Sequence, residues 1–273
     1  GLAIEEHARY RHHPSRLDLP LEQRAVDRDV TDARVDHAHQ VQGLHDVRAV
    51  LAGQRKIRLE VEVAIEAGGI CGSDLHYYNH GGFGAIRLKE PMILGHEIAG
   101  TIKALGAGVS GLAVGDRVAV SPSKPCNQCI YCLKGQQNQC LDMRFYGSAM
   151  RMPHIQGAFS QRLVANHWQC HKVGDDVSIN EAAFSEPFAV TLHAVNRAGS
   201  LLGKRVLVTG CGPIGTLCII AARAHGAQEI VATDVMDGVL QMALKAGADR
   251  VINVAEHPED LAAYSANKGS FDV

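Results

Sequence analysis

The stretch VLVTGCGPIGTLCIIAARAHGA, residues 206–227, restricts the fold of this chain more than any other. An apolar strand-like run leads into a glycine-rich GxGxxG turn, and an amphipathic helical pattern follows. A strand, glycine turn and helix in this order are typical of a dinucleotide site, in which the pyrophosphate faces the helix N-terminus. The sequence therefore predicts a βαβ unit and a parallel sheet. The candidate cofactor-binding residues in the turn are Gly210, Gly212, Pro213, Ile214 and Gly215.

Asp234 ends the next predicted strand, EIVATD, nineteen residues after Gly215. A carboxylate at this distance can accept hydrogen bonds from the adenosine ribose hydroxyls, and it would repel a 2′-phosphate. The three residues after Asp234 include no Arg or Lys. We therefore expect NAD, with NADP the less favoured alternative. Asp234 could instead cap the following helix, and the two roles are compatible.

Four of the eight cysteines lie in residues 126–140, in the spacing C-x2-C-x2-C-x7-C. Two disulfides are one alternative, but the chain lacks the shortness, cysteine density and signal peptide of a secreted disulfide scaffold. Four unrelated free thiols are another. Zn²⁺ binds four thiolates as a tetrahedron, so we expect a structural zinc ion, with no position left for a substrate. The predicted ligands are Cys126, Cys129, Cys132 and Cys140.

A second candidate metal site lies upstream, where Cys71 is followed twenty-five residues later by His96 and Glu97. A thiolate, an imidazole and a carboxylate are suitable ligands for a catalytic zinc, although a core cysteine and a solvated His-Glu pair are the plainer interpretation. Glycines in GHEIAG and ALGAGV allow the backbone to bend closely around such a pair. Glu186, just before Pro187, is a further acid, with helix capping as its alternative role.

In chain order, the four features are the Cys71 group, the four cysteines, Glu186 and the glycine turn. Together they resemble the zinc-dependent medium-chain alcohol and polyol dehydrogenases, from about residue 61 to the end of the chain. The motifs that carry the resemblance are GGICGSDLHYY, SPSKPCNQCIYC, NQCLDMRFYGSAMRMPH and AFSEPFAVTLHA. The resemblance implies an α/β protein with a β-rich GroES-like catalytic domain that carries a structural zinc lobe. A Rossmann doubly wound domain is expected to follow.

The resemblance also implies roles for individual residues. The implied ligands of a catalytic zinc are Cys71, His96 and Glu97. Glu186 is implied to be either a fourth ligand or hydrogen-bonded to the zinc water. Ser73 and His76 are implied to relay protons, Asp74 to orient a ligand, and the four cysteines of residues 126–140 to hold structural zinc.

The implied reaction is oxidation of a secondary hydroxyl of a sugar acid or polyol, with hydride transfer to NAD(P). The groups that could contact a polyol are Tyr77, Tyr78 and Asn79. The cations that could contact a sugar-acid carboxylate are Lys124, Arg144 and Arg151, and the sequence does not choose among them. A threonine or simple alcohol dehydrogenase on the same fold is one alternative. A non-catalytic zinc-binding fragment is another.

Composition and the pattern of apolar and charged residues predict the domain boundaries, the partners and the location of the chain. We expect a disordered leader over residues 1–45, a zinc catalytic domain over 46–180 and a partial NAD-binding domain over 181–273. A histidine-rich metal tail is the alternative for the leader. With a formal charge of −2, no basic face and no apolar run of about 18 residues, we expect no nucleic-acid or membrane partner and a cytoplasmic location. Family resemblance implies a homodimer or homotetramer.

The last residues, SFDV, lie where a fourth parallel strand would begin. In a six-stranded sheet of order 3-2-1-4-5-6, strand 1 pairs with strand 4. We therefore expect strand 1 to be largely unpaired on one side, and the chain by itself to be a fragment with poor or no turnover.

Overall fold

The computed structural model describes residues 57–273. The predicted leader, residues 1–45, and the first residues of the predicted zinc domain lie outside this range. The described residues form a five-stranded antiparallel sheet, a three-stranded parallel sheet and two small two-stranded sheets. The chain is thus an α/β protein in which a β-rich part precedes a Rossmann-type part, as the sequence predicts.

The strands are numbered in chain order. They are β1 (Glu60–Gly69), β2 (Gly82–Phe83), β3 (Ile86–Arg87), β4 (Glu97–Leu105), β5 (Arg117–Val120), β6 (Ser123–Lys124), β7 (Arg144–Phe145), β8 (Arg162–Asn166), β9 (Cys170–Lys172), β10 (Arg205–Thr209), β11 (Glu229–Asp234) and β12 (Arg250–Asn253). The short pairs β2-β3 and β6-β7 form the two small sheets.

The helices are also numbered in chain order. They are α1 (Gly72–His80), α2 (Ile130–Leu133), α3 (Ile179–Ala183), α4 (Ser185–Ala198), α5 (Pro213–Ala224), α6 (Asp237–Lys245) and α7 (Pro258–Ala262). Four 3-10 segments complete the described part of the chain: Ile57–Leu59, Gln137–Gln139, His167–Gln169 and Ala263–Lys268.

The antiparallel sheet has the strand order β8-β1-β4-β5-β9. Apolar residues at alternate positions of its central strands point to one face because side chains alternate along a strand. Val61, Val63, Ile98, Ile102 and Val118 are buried there and form a core cluster. This face is the core of the β-rich part, and the zinc lobe leaves the sheet between β5 and β8.

Helix α3 packs against the same sheet through small residues. Ala182 and Ala183 are buried with Ala99 on β4 and Ala119 on β5. Alanines on both sides allow the helix backbone to approach the strands closely. Since α4 begins just after α3 ends, this contact fixes where Glu186 lies relative to β4.

The parallel sheet has the order β10-β11-β12, with β10 and β12 each paired in parallel to β11. Ile219 of α5 and Leu240 of α6 are buried with Val206 and Ile230 of the sheet. This is the predicted βαβ arrangement. None of the helices in residues 57–273 combines the length and apolar character needed to cross a membrane.

The outer edge of β10 is only briefly paired. The N–H of Leu207 donates to the carbonyl of Val273 over 2.8 Å, and the N–H of Asp272 donates to the carbonyl of Arg205 over 2.9 Å. The last residues of the chain therefore lie beside β10, where the sequence predicts the fourth strand.

Candidate functional site

The four cysteines of residues 126–140 converge into one cluster, with all four sulfur atoms within 4.8 Å of one another. The Sγ atoms of Cys129 and Cys132 are 3.5 Å apart, and those of Cys126 and Cys132 are 4.0 Å apart. A disulfide requires a separation of ~2.05 Å, so these cysteines are not bridged. Zn–S bonds of ~2.3 Å in a tetrahedron place sulfurs ~3.8 Å apart, and the observed separations fit that geometry.

Helix α2 and the turns around it hold these thiols. Cys129 precedes the first residue of α2, and backbone N–H groups of Cys132 and Leu141 lower the pKa of the Cys129 thiol to about 6. Cys132 lies inside α2, where burial and the hydrogen bond shared with Cys129 raise its pKa to about 12. The N–H of Cys126 donates to the Sγ of Cys140 over 3.2 Å. Backbone N–H groups of the lobe therefore stabilise the thiolate of Cys129. The four thiols can all ionise together only when a cation binds between them.

The second cluster contains the three residues predicted as catalytic ligands. One ligand atom from each of Cys71, His96 and Glu97 lies within 4.8 Å of the others. Cys71 precedes the first residue of α1, and Glu97 is the first residue of β4. The antiparallel pairing of β1 with β4, in which Gly69 faces Glu97, brings these segments together.

Asp74 ties both segments of the cluster to each other. Its carboxylate accepts a hydrogen bond from the N–H of Cys71 over 3.0 Å and another from the N–H of Gly95 over 2.9 Å. Asp74 is only 2% exposed, and its Oδ1 lies 3.7 Å from Nδ1 of His96. The buried carboxylate therefore holds the backbone beside each predicted ligand, which is compatible with the orienting role implied for it.

His96 is buried, and its Nδ1 has no hydrogen-bond partner among the described residues. A buried polar atom without a partner is costly and calls for an explanation. The ring packs against Phe145 with centroids 5.2 Å apart. An imidazole fixed in this way beside a thiol and a carboxylate fits a metal-ligand set, because a bound cation would compensate for the polar atoms buried there.

Glu97 occupies space that only a glycine on β1 leaves open. A Cβ atom at Gly69 would lie 2.1 Å from Oε2 of Glu97. Burial raises the pKa of the Glu97 carboxyl, while His96 and the Cys71 thiol oppose that rise. The carboxylate is therefore desolvated in a position where a cation would stabilise its charged form.

Glu186 lies in the first turn of α4 and is not part of the three-residue cluster within the described chain. Burial and the neighbouring charge of Glu97 raise its pKa to about 7. The two carboxyls are therefore near enough to influence each other electrostatically. This geometry leaves the choice between a fourth ligand and a partner of a bound water as a prediction.

Ser73 and His76 lie one turn apart on α1, which places them on the same side of the helix. Ser73 is half-buried and His76 is exposed. The ring of His76 contacts those of His80 and Phe83, each with a centroid distance of 5.9 Å. No hydrogen bond joins Ser73 to His76 in residues 57–273. The two residues of the predicted relay are therefore close along α1 but do not contact each other through a hydrogen bond.

The groups suggested for substrate binding differ in their surroundings. Tyr77 is buried, and its hydroxyl accepts a hydrogen bond from the N–H of Ala149 over 3.1 Å. The expectation that this hydroxyl faces a polyol therefore does not match the structure, in which it anchors a distant loop. Tyr78, by contrast, is 55% exposed.

Among the three candidate cations, Arg151 is the most constrained. Its guanidinium donates to the carbonyls of Leu141 and Met143 and lies 3.6 Å from Asp142. Arg144 faces Lys124 across the β6-β7 pair and, with Arg151, lines a cavity of about 290 Å³. Arg151 thus serves the loop around it, whereas the side chains of Lys124 and Arg144 are exposed.

The glycine turn has the geometry of a phosphate-binding turn. Gly210 adopts φ +85°, a conformation that favours glycine. A Cβ at Gly215 would lie 1.8 Å from the carbonyl of Gly210, so the third glycine allows α5 to pack against the turn. A Cβ at Gly212 would meet no atom within 4 Å. Open space at this glycine, beside Pro213 and Ile214 in the first turn of α5, fits a pyrophosphate.

Asp234, at the end of β11, is held against this turn. Its carboxylate accepts hydrogen bonds from the N–H groups of Cys211 over 2.7 Å, Val235 over 2.7 Å and Met236 over 3.1 Å. The bond from Cys211 is the main cause of its lowered pKa. Asp234 thus stays ionised beside the turn, where its remaining lone pairs could accept from ribose hydroxyls.

A GroES-like β domain followed by a Rossmann-type sheet, with a zinc lobe in the former, defines the class of medium-chain dehydrogenases. Residues 58–175 match the family described as "Alcohol dehydrogenase GroES-like domain", and residues 213–273 match "Zinc-binding dehydrogenase". The chain belongs to the zinc-dependent medium-chain alcohol and polyol dehydrogenases.

Similar proteins include sugar-acid and polyol dehydrogenases. "L-idonate 5-dehydrogenase (NAD(P)(+))" of Escherichia coli K12 is 45% identical over 211 residues, which are 77% of this chain and 60% of that protein. "Sorbitol dehydrogenase" of Bombyx mori is 40% identical over 78% of this chain and 63% of its own length. The chain therefore spans about 60% of the length of these relatives.

Solved structures give the same result for the fold. The crystal structure of L-idonate 5-dehydrogenase from E. coli K-12 has a TM-score of 0.75 at 43% identity, covering 79% of this chain and 61% of that chain. Galactitol-1-phosphate dehydrogenase from E. coli has a TM-score of 0.68 at 36% identity, covering 77% and 59%.

Three contributors to the site were not predicted from the sequence. Phe145 packs on His96 from forty-nine residues away, Tyr77 anchors Ala149, and Gly69 makes room for Glu97. Each contact depends on strand register or on packing between distant segments. Only the glycine could have been noticed, as the second residue of a Gly-Gly pair just before Cys71.

Proposed function

We propose that this chain supplies the zinc site and the adenosine side of the NAD site of a dehydrogenase that oxidises a secondary hydroxyl of a sugar acid or polyol. The observation that carries the proposal is the convergence of Cys71, His96 and Glu97 from two chain segments into one partly buried cluster. The activities named for the E. coli and Bombyx mori relatives support the substrate class.

Cys71, His96 and Glu97 would hold the catalytic zinc, with Glu186 as a fourth ligand or as a partner of bound water. Bound zinc supplies Lewis-acid polarisation of an oxygen ligand, and NAD supplies the hydride acceptor. Asp74 fixes the backbone on both sides of this set. Cys126 and the other three cysteines of the lobe would hold the structural zinc.

Ser73 and His76 would move the proton that leaves the substrate hydroxyl. A serine hydroxyl both accepts and donates a hydrogen bond, so the half-buried Ser73 can receive the proton and pass it on. His76 is exposed, and its imidazole can pass a proton on to water. The two residues are one helical turn apart, which suits a short relay.

The glycine turn would bind the pyrophosphate of the cofactor, and Asp234 would accept from the ribose hydroxyls. The cofactor-binding residues are Gly210, Gly212, Pro213, Ile214, Gly215 and Asp234. Asp234 is ionised and would repel a 2′-phosphate, which favours NAD over NADP. The name of the E. coli relative includes both cofactors, so the preference for NAD is to be measured.

The finer assignments are further parts of the proposal. L-idonate, sorbitol and xylitol are the leading substrates, and exposed Lys124 or Arg144 would meet a sugar-acid carboxylate better than Arg151, whose guanidinium is already bonded. We propose a cytoplasmic homodimer or homotetramer, with domains over residues 46–180 and 181–273. The leader, residues 1–45, lies outside the described part of the chain.

The test is NAD⁺ reduction, followed by the absorbance of NADH, with L-idonate, sorbitol, xylitol, threonine and ethanol. The assay is run on this chain and on a version that continues through the second half of the cofactor-binding sheet. We expect turnover of a sugar acid or polyol by the longer version and little or none by this chain. Equal activity of the two would contradict the expected dependence on the added strands, and turnover of ethanol alone would contradict the substrate class.

A further inference from the structure

A short segment around Phe159 pairs with the residues that precede His96. The N–H groups of Gly157, Ala158 and Phe159 donate to the carbonyls of Ile93, Gly95 and Leu94, over 2.7, 2.9 and 2.9 Å. These three hydrogen bonds form a local ladder outside the named strands. The backbone approach to the second ligand segment is therefore fixed by a part of the chain more than sixty residues further on.

The ring of Phe159 lies directly on Gly95. A Cβ atom at Gly95 would lie 2.3–2.5 Å from three ring atoms of Phe159. Gly95 also has φ +94°, which disfavours other residues there. Its N–H is bound by Asp74 and its carbonyl by Ala158. The residue before His96 is thus held by two hydrogen bonds and by an aromatic ring.

The same ring also reaches β1. A Cβ at Gly68 would lie 3.3 Å from the Phe159 ring, whereas a Cβ at Gly69 would collide with the Glu97 carboxylate. Because successive residues of a strand point to opposite faces, the ring and the carboxylate lie on opposite sides of β1. Phe159 therefore supports from behind the two segments that present Cys71, His96 and Glu97.

Phe159 is 41% exposed, although it is a large apolar side chain. Core packing alone does not require an aromatic ring at a position so open to solvent. A flat ring, however, is the side chain that can cover two adjacent glycine backbones without displacing either. The flat shape of the Phe159 ring is therefore better suited to packing against a backbone than to filling a core.

We infer that Phe159 is a positioning residue for the zinc ligands, a role that rests on the proposed function. The ring fixes Gly95, and with it the direction in which His96 enters the cluster, while it also steadies the end of β1 before Cys71. Removal of the ring would leave the four-cysteine lobe intact and loosen only the Cys71-dependent metal.

The experiment measures the rate at which Zn²⁺ passes from the chain to a chelator. Cys71→Ser identifies the release phase of the three-residue cluster, and the remaining phase belongs to the four cysteines. We expect Phe159→Ala to accelerate the Cys71-dependent phase by about tenfold or more. Mutation of residues that orient metal ligands typically weakens metal binding by about this factor. Phe159→Leu should have a smaller effect, and Phe159→Tyr, which keeps a flat ring, should restore the wild-type rate.

Leu163→Ala is the matched control, since Leu163 packs on the core of the antiparallel sheet, whereas the three atoms nearest a Cβ at Gly95 all belong to Phe159. It should lower the Tm without changing zinc release. A Phe159→Ala or Phe159→Leu rate equal to wild type, or an equal acceleration in Leu163→Ala, would overturn the positioning role alone. A wild-type chain without Cys71-dependent zinc would instead overturn the proposed function, and the positioning role with it.

Discussion

The two cysteine-containing clusters of this chain are built in opposite ways. The four-cysteine lobe draws all its donors from fifteen consecutive residues, held by short turns and α2. The other cluster draws Cys71 from the end of β1 and His96 and Glu97 from the start of β4, so it exists only when those strands pair in the right register. A local, all-thiolate set suits a structural ion, whereas an assembled, mixed set suits a site that must respond to a substrate.

The largest expected effect concerns the stability that each metal contributes. Cys129→Ser should remove the zinc that organises the lobe, at a cost on the order of 5 kcal/mol or more, because structural zinc contributes roughly 10 kcal/mol or more in small metal-dependent domains. Cys71→Ser should cost far less, since β1 and β4 are held together by their own hydrogen-bonded pairing and by apolar packing. Calorimetric unfolding of both zinc-loaded variants is the measurement, and equal decreases in Tm would remove the distinction between the clusters.

The second prediction tests the register on which the assembled cluster depends. A Cβ at Gly100 would lie 1.9 Å from the backbone carbonyl of Ala64, so Gly100→Ala should push β1 and β4 apart and cost roughly 1–3 kcal/mol. Zinc affinity of the Cys71 cluster should fall, while that of the four cysteines should not. Denaturant unfolding and zinc titration measure both effects. Equal losses of zinc affinity at the two clusters would contradict the prediction that only the Cys71 cluster depends on the β1-β4 register.

The third prediction concerns the glycine that faces Glu97. Gly69→Ala would place a Cβ 2.1 Å from the carboxylate oxygen, which is the mobile end of its side chain. The carboxylate should turn aside at little cost in stability, and zinc affinity of the cluster should fall about 10- to 100-fold. Gly72→Ala is the control, because a Cβ there meets no atom within 4 Å. Unchanged affinity in Gly69→Ala would remove Glu97 from the ligand set.

The smallest expected effect is a pH dependence of the metal-free chain. Burial and Glu97 raise the pKa of Glu186 from 4.5 to about 7, so the folded chain binds more protons than the unfolded chain between these values. The free energy of unfolding should therefore fall as pH rises from about 4.5 to about 7. Glu186→Gln should flatten this slope. The effect is reduced by partial solvent exposure, and urea unfolding at several pH values would detect it. An identical slope in the variant would contradict it.

The local features of this molecule could be predicted from the sequence because the residues that determine them lie close together in the chain. The strand, turn and helix around Gly210 and the spacing from Cys126 to Cys140 lie within short windows, and both form as predicted. The ligand chemistry of Cys71, His96 and Glu97 suggests that they group and family resemblance supports it, but their spacing alone does not show that β1 and β4 pair. The structure then brings these three residues together.

Other features could not be predicted because they depend on packing between distant segments. The sequence does not show that the Tyr77 hydroxyl is bound by Ala149, or that Arg151 is occupied by carbonyls of its own loop. Nor does it show that Phe159 would lie on Gly95. The predicted substrate contact of Tyr77 does not match the structure because the side chain is buried, and the sequence does not reveal that burial.

The most direct test of two separate metal sites is the number of zinc ions per chain, measured by elemental analysis of zinc-saturated protein after removal of free metal. We predict about two ions in the wild-type chain, with one lost in Cys71→Ser and the other lost in Cys129→Ser. A single zinc ion that is unaffected by Cys71→Ser would contradict the account and leave only the four-cysteine lobe as a metal site.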